Sequence, residues 1–149
     1  MTREAFIKVL ERKGYSYKIE GDKIVITYKG LVDLKSLTSI SPGVVFRNGA
    51  GIFLDSLASL PPGVVFENGS DIYFELLSSL SPDVVFNNEG NVWLDSLASI
   101  PPSVEFKNRG HVNLESLIGD WFYSWKGNIE GIKPNRLLNK MISLGLFER

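Results

Sequence analysis

Cysteine is absent from this chain, and histidine occurs once, as His111. Without cysteine, neither a disulfide framework nor a thiolate metal site can form. With a single imidazole, a nitrogen- or sulfur-rich zinc site cannot be assembled. No metal site or cofactor is expected, and the lack of disulfides fits a reducing, cytoplasmic setting. Long apolar runs are missing too. None approaches the ~18 residues needed to cross a bilayer, and the opening MTREAFIKVLERKGYSYKIE carries charges inside its only apolar stretch, unlike a secretory signal. No membrane association is expected. The sequon Asn68-Gly69-Ser70 is read as a chance match. Basic charge is scarce where the chain is longest: residues 31–118 hold four Lys/Arg against ten Asp/Glu, between segments with seven against four (1–30) and five against three (119–149). A nucleic-acid groove needs clustered Lys/Arg, so no nucleic-acid partner is expected. Neither a phosphate loop, a Gly-x-Ser-x-Gly elbow nor a dinucleotide fingerprint occurs. His111 lacks the orienting partner that a general base requires. The chain is therefore not expected to be an enzyme.

What the chain has in abundance is itself. Aligned on a period of 20, its middle resolves into columns: Val32, Ile52, Ile72, Val92, Val112; then Leu34, Leu54, Phe74, Leu94, Leu114; then Leu37, Leu57, Leu77, Leu97, Leu117; then Ile40, Leu60, Leu80, Ile100. Pro42, Pro62, Pro82 and Pro102 punctuate the units. Val44, Val64, Val84 and Val104 follow, then Phe46, Phe66, Phe86 and Phe106, and Asn48, Asn68, Asn88 and Asn108 close each unit with a glycine one or two places on. A fixed period of this size means that each unit is one coil, unable to bury its apolar side alone and stacked on its neighbours. Within a unit, V-x-L and V-V-F alternate with period 2 and are rich in β-branched and aromatic residues, so both are expected to be short strands pairing in parallel along the stack, ~4.8 Å apart. The prolines fall at turns, where no ladder N–H is required. The asparagines are expected to cap backbone groups at a bend, with the following glycine supplying a positive φ.

The unit L-x-S-L-x-S-[IL]-x-P-x-V-x-F-x-N resembles the leucine-rich repeat in its shortest form, and more closely the "SLTSIP"-type repeats of bacteriophages and their bacterial hosts, with SLTSIS at 36–41 as its clearest instance. The resemblance covers residues 31–118 and implies a binding scaffold without catalytic residues. In the usual repeat the Asn lies three residues after the last strand leucine, whereas Asn48 lies two after Phe46. Both a curved horseshoe and a straighter β-solenoid therefore stay open. Solenoids need caps. At the N-terminus, Thr2 caps a helix whose face carries Ala5, Phe6, Val9 and Leu10 and which stops at Gly14; YSYKIE-GD-KIVITY is then a hairpin turning at Gly21-Asp22. Beyond Gly119, Asp120 opens a short helix ending at Gly127, and Pro134 a second, with Leu137, Leu138, Met141 and Ile142, stopped at Gly145. Trp121, Phe122 and Trp125 are expected to plug the last coil. The expected fold is thus a single α+β repeat domain over 1–149: a helix-plus-hairpin cap (1–30), a parallel β-solenoid or leucine-rich-repeat-like stack (31–118) and a helical C-terminal cap (119–149).

One column asks for more than packing. Between the inward residues of the first strand, the outward position reads Asp33, Phe53, Tyr73, Trp93, Asn113. Three large aromatics on successive rungs make an apolar strip, and the neighbouring column Lys35, Asp55, Glu75, Asp95, Glu115 rims it with carboxylates. That rim by itself reads as a solvated face. Rimmed apolar strips mark interaction surfaces; the alternatives are cross-strand stacking that only stabilises the sheet, or a cover made by the chain's own caps. Val45, Val65 and Val85 form a weaker outward stripe ending at Glu105, in keeping with ordinary strand formers. The functional expectation is a non-catalytic scaffold that binds a protein partner through Phe53, Tyr73, Trp93, Asp55, Glu75 and Asp95. An inhibitor or adaptor acting on a host protein, as the phage-like repeats imply, is one form of this, and a homodimer through the strip another. The alternative is a carbohydrate-binding module using the aromatic ladder against sugar rings.

Overall fold

The computed structural model describes residues 1–98, 100–101, 103–113 and, by backbone alone, 124–126. Each 20-residue unit contributes one strand to each of two sheets. Strands β3 (Val32–Asp33), β5 (Ile52–Phe53), β7 (Ile72–Phe74), β9 (Val92–Leu94) and β11 (His111–Asn113) pair in parallel in one sheet. Strands β4 (Val44–Phe46), β6 (Val65–Phe66), β8 (Val85–Phe86) and β10 (Glu105–Phe106) do the same in the other. Val32 meets Ile52, Ile52 meets Ile72, and Ile72 meets Val92 across the ladder, so the sequence period is the rung of the structure. The result is a parallel β-solenoid of about four turns.

The interior is built by stacking like on like. The rings of Phe46, Phe66, Phe86 and Phe106 lie over one another with centroids 5.0, 5.1 and 5.0 Å apart and planes within 7°. Phe74, which replaces leucine in the opposite sheet, wedges edge-on against Phe66 and Phe86 at 5.8 and 6.3 Å. Edge-to-face geometry sets the positive ring edge against the negative ring face. The valine, isoleucine and leucine columns are buried around this stack, save Leu37, which is only partly covered in the first coil. Leu114, Leu117 and Pro102 lie outside the described residues.

The asparagines form a second ladder, at the corner after the Phe strand. The Asn68 Nδ2 group donates to the carbonyls of Ala50, one rung back (3.1 Å), and of Ser70 in its own coil (3.0 Å). Asn48, Asn88 and Asn108 repeat the pattern. Each amide thus ties its own bend to the bend before it. All four are buried, so the Asn68 sequon offers no accessible amide. The glycines beside them do not supply positive φ, contrary to expectation: positive φ occurs at Gly14, Gly21, Gly43 and Gly63, that is, at the helix end, the hairpin and the turns after Pro42 and Pro62. The glycine next to each Asn answers a different need. A Cβ at Gly69 would lie 2.5 Å from the Gly49 carbonyl oxygen, and one at Gly90 2.7 Å from the carbonyl carbon of Ser70. Close approach of successive bends selects glycine there.

The N-terminal cap is as expected in outline. Helix α1 (Arg3–Lys13) starts at Thr2, whose hydroxyl accepts from the Ala5 N–H (3.1 Å), and ends at Gly14 in the left-handed region. Phe6, Val9 and Leu10 are buried in the core, whereas Ala5 is exposed, so the buried stripe is narrower than the sequence suggested. Strands β1 (Tyr17–Glu20) and β2 (Lys23–Ile26) form an antiparallel hairpin over Gly21-Asp22, and β2 pairs in parallel with β4. The first edge of the opposite sheet is met by a side chain: the Asp33 N–H donates to the Tyr15 hydroxyl (2.9 Å).

At the other end the expected helix from Asp120 to Gly127 is corrected. Ser124–Lys126 form a strand, β12, antiparallel to β11 with Val112 opposite Trp125. The alternating Ser-Trp-Lys triplet supplies an extended segment for the exposed ladder groups of β11, and an unpaired sheet edge outweighs a weak local helix signal. The Trp121 and Phe122 plug, the Trp125 side chain and the helix opened by Pro134 lie outside the described residues. Among the described residues no helix is long and apolar enough to cross a membrane.

Replacing Phe66 by Ala removes the middle of the aromatic stack and should cost ~3–5 kcal/mol. Because coils support one another, the loss should appear as one cooperative transition shifted strongly to lower temperature, measured by far-UV circular dichroism. Gly90→Ala should also destabilise, and more than Ala substitution of the open Gly14–Gly21 class would by φ strain alone, because its obstacle is the backbone of the preceding coil.

Candidate functional site

The outward side of the strand series β3, β5, β7, β9, β11 is where the sequence places its unexplained aromatics. Alternation in a strand sends Val32 and Leu34 inward and Asp33 outward, and the stack repeats this on each rung. Phe53, Tyr73 and Trp93 accordingly lie side by side along the solenoid, each half-buried. The Phe53 and Tyr73 centroids are 5.0 Å apart with planes tilted by 37°, and Tyr73 and Trp93 are 6.1 Å apart with planes within 6°. The Tyr73 and Trp93 rings are thus stacked on successive rungs, and the Phe53 ring is tilted against Tyr73. Lys35 ends the row, its Nζ lying 5.4 Å from the Phe53 ring centre and 3.7 Å from Asp33 Oδ2.

Beside the rings run the carboxylates of Asp55, Glu75 and Asp95. These three, with Phe53, Tyr73, Trp93 and the rim of Phe74, line a groove of about 300 Å³. All six residues singled out in the sequence therefore converge on one depression. Glu75 and Asp95 are exposed; Asp55 is partly buried, and its burial together with the neighbouring Glu75 charge holds its carboxyl above the usual range, with Lys35 opposing. Asn113, the last outward position of the column, is buried rather than exposed, so the open strip ends at Trp93. The Trp93 indole nitrogen is itself buried and has no hydrogen-bond acceptor among the described residues.

Sequence reasoning passed over the other flank. Tyr73 donates its hydroxyl to Asp71 Oδ2 (3.2 Å), while Asp71 Oδ1 accepts from the Asn91 N–H one rung on (2.7 Å). Asn91 Oδ1 accepts in turn from the His111 N–H (2.7 Å). Burial, and then the charge of Asp71, raise the Tyr73 phenol above its ordinary value, so the hydroxyl remains a donor. The signal was present: the column Leu31, Gly51, Asp71, Asn91 turns from apolar to hydrogen-bonding where the large aromatics begin. Asp71 thereby orients the ring that stands in the centre of the strip.

The remaining surfaces are less suited to a ligand. The valine stripe on the opposite sheet is partly closed, with Val45 buried and Val65 and Val85 half-buried. A wider depression of about 550 Å³ opens between the start of α1, the hairpin and the proline turns. Its polar groups serve the turns: Arg3 donates to the Asp22 carbonyl (3.0 Å), and Asp83 accepts from the Gly63 N–H (3.0 Å). Among the described residues no group of three or more His, Cys, Asp or Glu is arranged to hold a metal ion.

The raised carboxyl of Asp55 has a testable sign. A folded-state value above the ordinary 3.8 means that ionising Asp55 opposes folding, so the penalty is absent well below that pH and present above it. Asp55→Asn should therefore raise the melting temperature at neutral pH, and the gain should vanish in acid. Comparison of the chain with protein-family models, with curated proteins and with solved structures returns no match.

Proposed function

We propose that this protein is a non-catalytic binding scaffold whose partner is another protein, held against the groove between the aromatic row and the carboxylate row. The observation that carries this reading is the coincidence, on consecutive rungs, of Phe53, Tyr73 and Trp93 with Asp55, Glu75 and Asp95 around one depression. A solenoid needs inward residues to stand; it does not need large rings on its outer face. Aromatic residues are enriched at protein-binding hot spots, where a polar rim excludes water around them. The asymmetry between the two sheets supports the reading, since the other outer face carries small valines where this one carries rings. Resemblance of the repeats to the "SLTSIP" type extends it to a phage-derived inhibitor or adaptor acting on a host protein.

Replacing Phe53, Tyr73 and Trp93 together by Ser or Thr tests the reading. The fold should survive with a modest fall in melting temperature, since cross-strand pairs contribute ~0.2–1 kcal/mol each. Stoichiometric capture of a partner protein by the full chain should be lost, because hot-spot aromatics carry ~2 kcal/mol or more apiece, while glycan arrays should stay silent with both proteins. Sedimentation of the unmodified chain alone distinguishes a foreign partner from a second copy. Undiminished capture by the folded triple variant would move the site off this face.

A further inference from the structure

The described part of the groove is lined with carboxylates. Asp55, Glu75 and Asp95 flank the rings on one side and Asp71 on the other. Among the described residues no Lys or Arg makes an ion pair with Asp55, Asp71 or Glu75, whereas Glu20, Asp33, Glu67, Glu89 and Glu105 lie in ion pairs on other parts of the surface. Carboxylates on successive rungs stand ~4.8 Å apart at their backbones and repel one another. Burial, and after it the neighbouring Glu75 charge, displace the Asp55 carboxyl upward. In the column running Lys35, Asp55, Glu75, Asp95, the first coil alone supplies a cation, and that cation is already used: Lys35 lies against Asp33 and the Phe53 ring. Where the chain offers a cation to this face, the cation takes up a place beside both a ring and a carboxylate. The next rung repeats ring and carboxylate, as Tyr73 and Glu75, and among the described residues no Lys or Arg is ion-paired with Glu75.

A side chain suited to such a rung needs an apolar stem and a positive end. Arginine and lysine have that construction, with methylenes that lie along apolar surface and a charged head that reaches outward. We propose that the groove reads basic side chains: it takes Arg or Lys residues of a basic segment of the partner protein, their stems against the Tyr73 and Trp93 rings and their charged ends among Asp55, Glu75 and Asp95. This rests on the protein-binding reading above and adds to it the chemistry of the partner. Lys35 closes the groove at its Phe53 end, where like charge turns a basic segment away, so the site is confined to the two rungs that follow. Specificity then has a repulsive element as well as an attractive one.

The test is a calorimetric titration of the full chain with a capped peptide of three arginines alternating with alanines, beside peptides in which glutamine or glutamate replaces every arginine. The arginine peptide should bind, and the other two should not. Glu75→Gln, an exposed position that leaves the fold intact, should weaken binding about tenfold, and Trp93→Ser should weaken it as well. Glu4→Gln, which removes the same charge from the exposed side of α1, should leave it unchanged. Lys35→Gln should strengthen it several-fold by opening the Phe53 rung. Equal losses from Glu4→Gln and Glu75→Gln would reduce the effect to long-range attraction and overturn the proposal, as would equal binding of the glutamine peptide. If the arginine peptide fails to bind while ring-dependent capture of a protein persists, this inference falls and the protein-binding reading stands; if both fail, both fall.

Discussion

Translation by one coil is the constraint on which everything else in this molecule depends. Because Val32 is paired with Ile52, and Ile52 with Ile72, each strand residue of a coil lies beside the residue 20 positions away. A residue type that tolerates its own neighbourhood can therefore be written down a column and will assemble into a row. Phenylalanine rings stack at about 5 Å, and asparagine amides hand hydrogen bonds from bend to bend. Carboxylates do not tolerate their own kind, and a column of them persists only in water or in the presence of something positive. The same geometric rule that stabilises the interior thus sets carboxylates side by side on the outside.

Much of the architecture was legible because the period admits no insertion. Once Phe46, Phe66, Phe86 and Phe106 are seen at equal intervals, parallel pairing and an inward ring stack follow from strand geometry. Thr2, Gly14 and Gly21 were readable as well, since caps and tight turns depend on residue chemistry within a few positions. The role of the glycines beside the Asn column was misread because it is set by distance to another coil, which local φ preferences do not encode. Ser124–Lys126 were misread for a related reason: three residues carry almost no pattern, and their strand state is imposed by the open edge of β11.

At the candidate site, the row Phe53, Tyr73, Trp93 and its acidic neighbours could be placed from alternation alone, and the structure brings them to one groove. Ring orientation could not be read in advance. It follows from side-chain packing across rungs, and it decides whether flat faces or edges meet an incoming molecule. The Tyr73–Asp71 hydrogen bond was hidden for the opposite reason: an aspartate two residues from a tyrosine is too common a pattern to stand out, and only the fold shows that the two side chains meet.

A parallel stack is also a template for indefinite growth, since each new coil presents the same unpaired ladder as the last. Here the hairpin strand β1 and the strand β12 both run antiparallel to the strands that they cover, and the Tyr15 hydroxyl takes the N–H that β3 would otherwise hold out to an incoming strand. Reversal of chain direction breaks the translational match at those edges, so a further coil of the same sequence does not meet there the parallel partner that the stack supplies elsewhere. At these three edges the fold withholds from an incoming strand the template that its own repeat would otherwise offer, and the length of the stack is written into the residues that flank it.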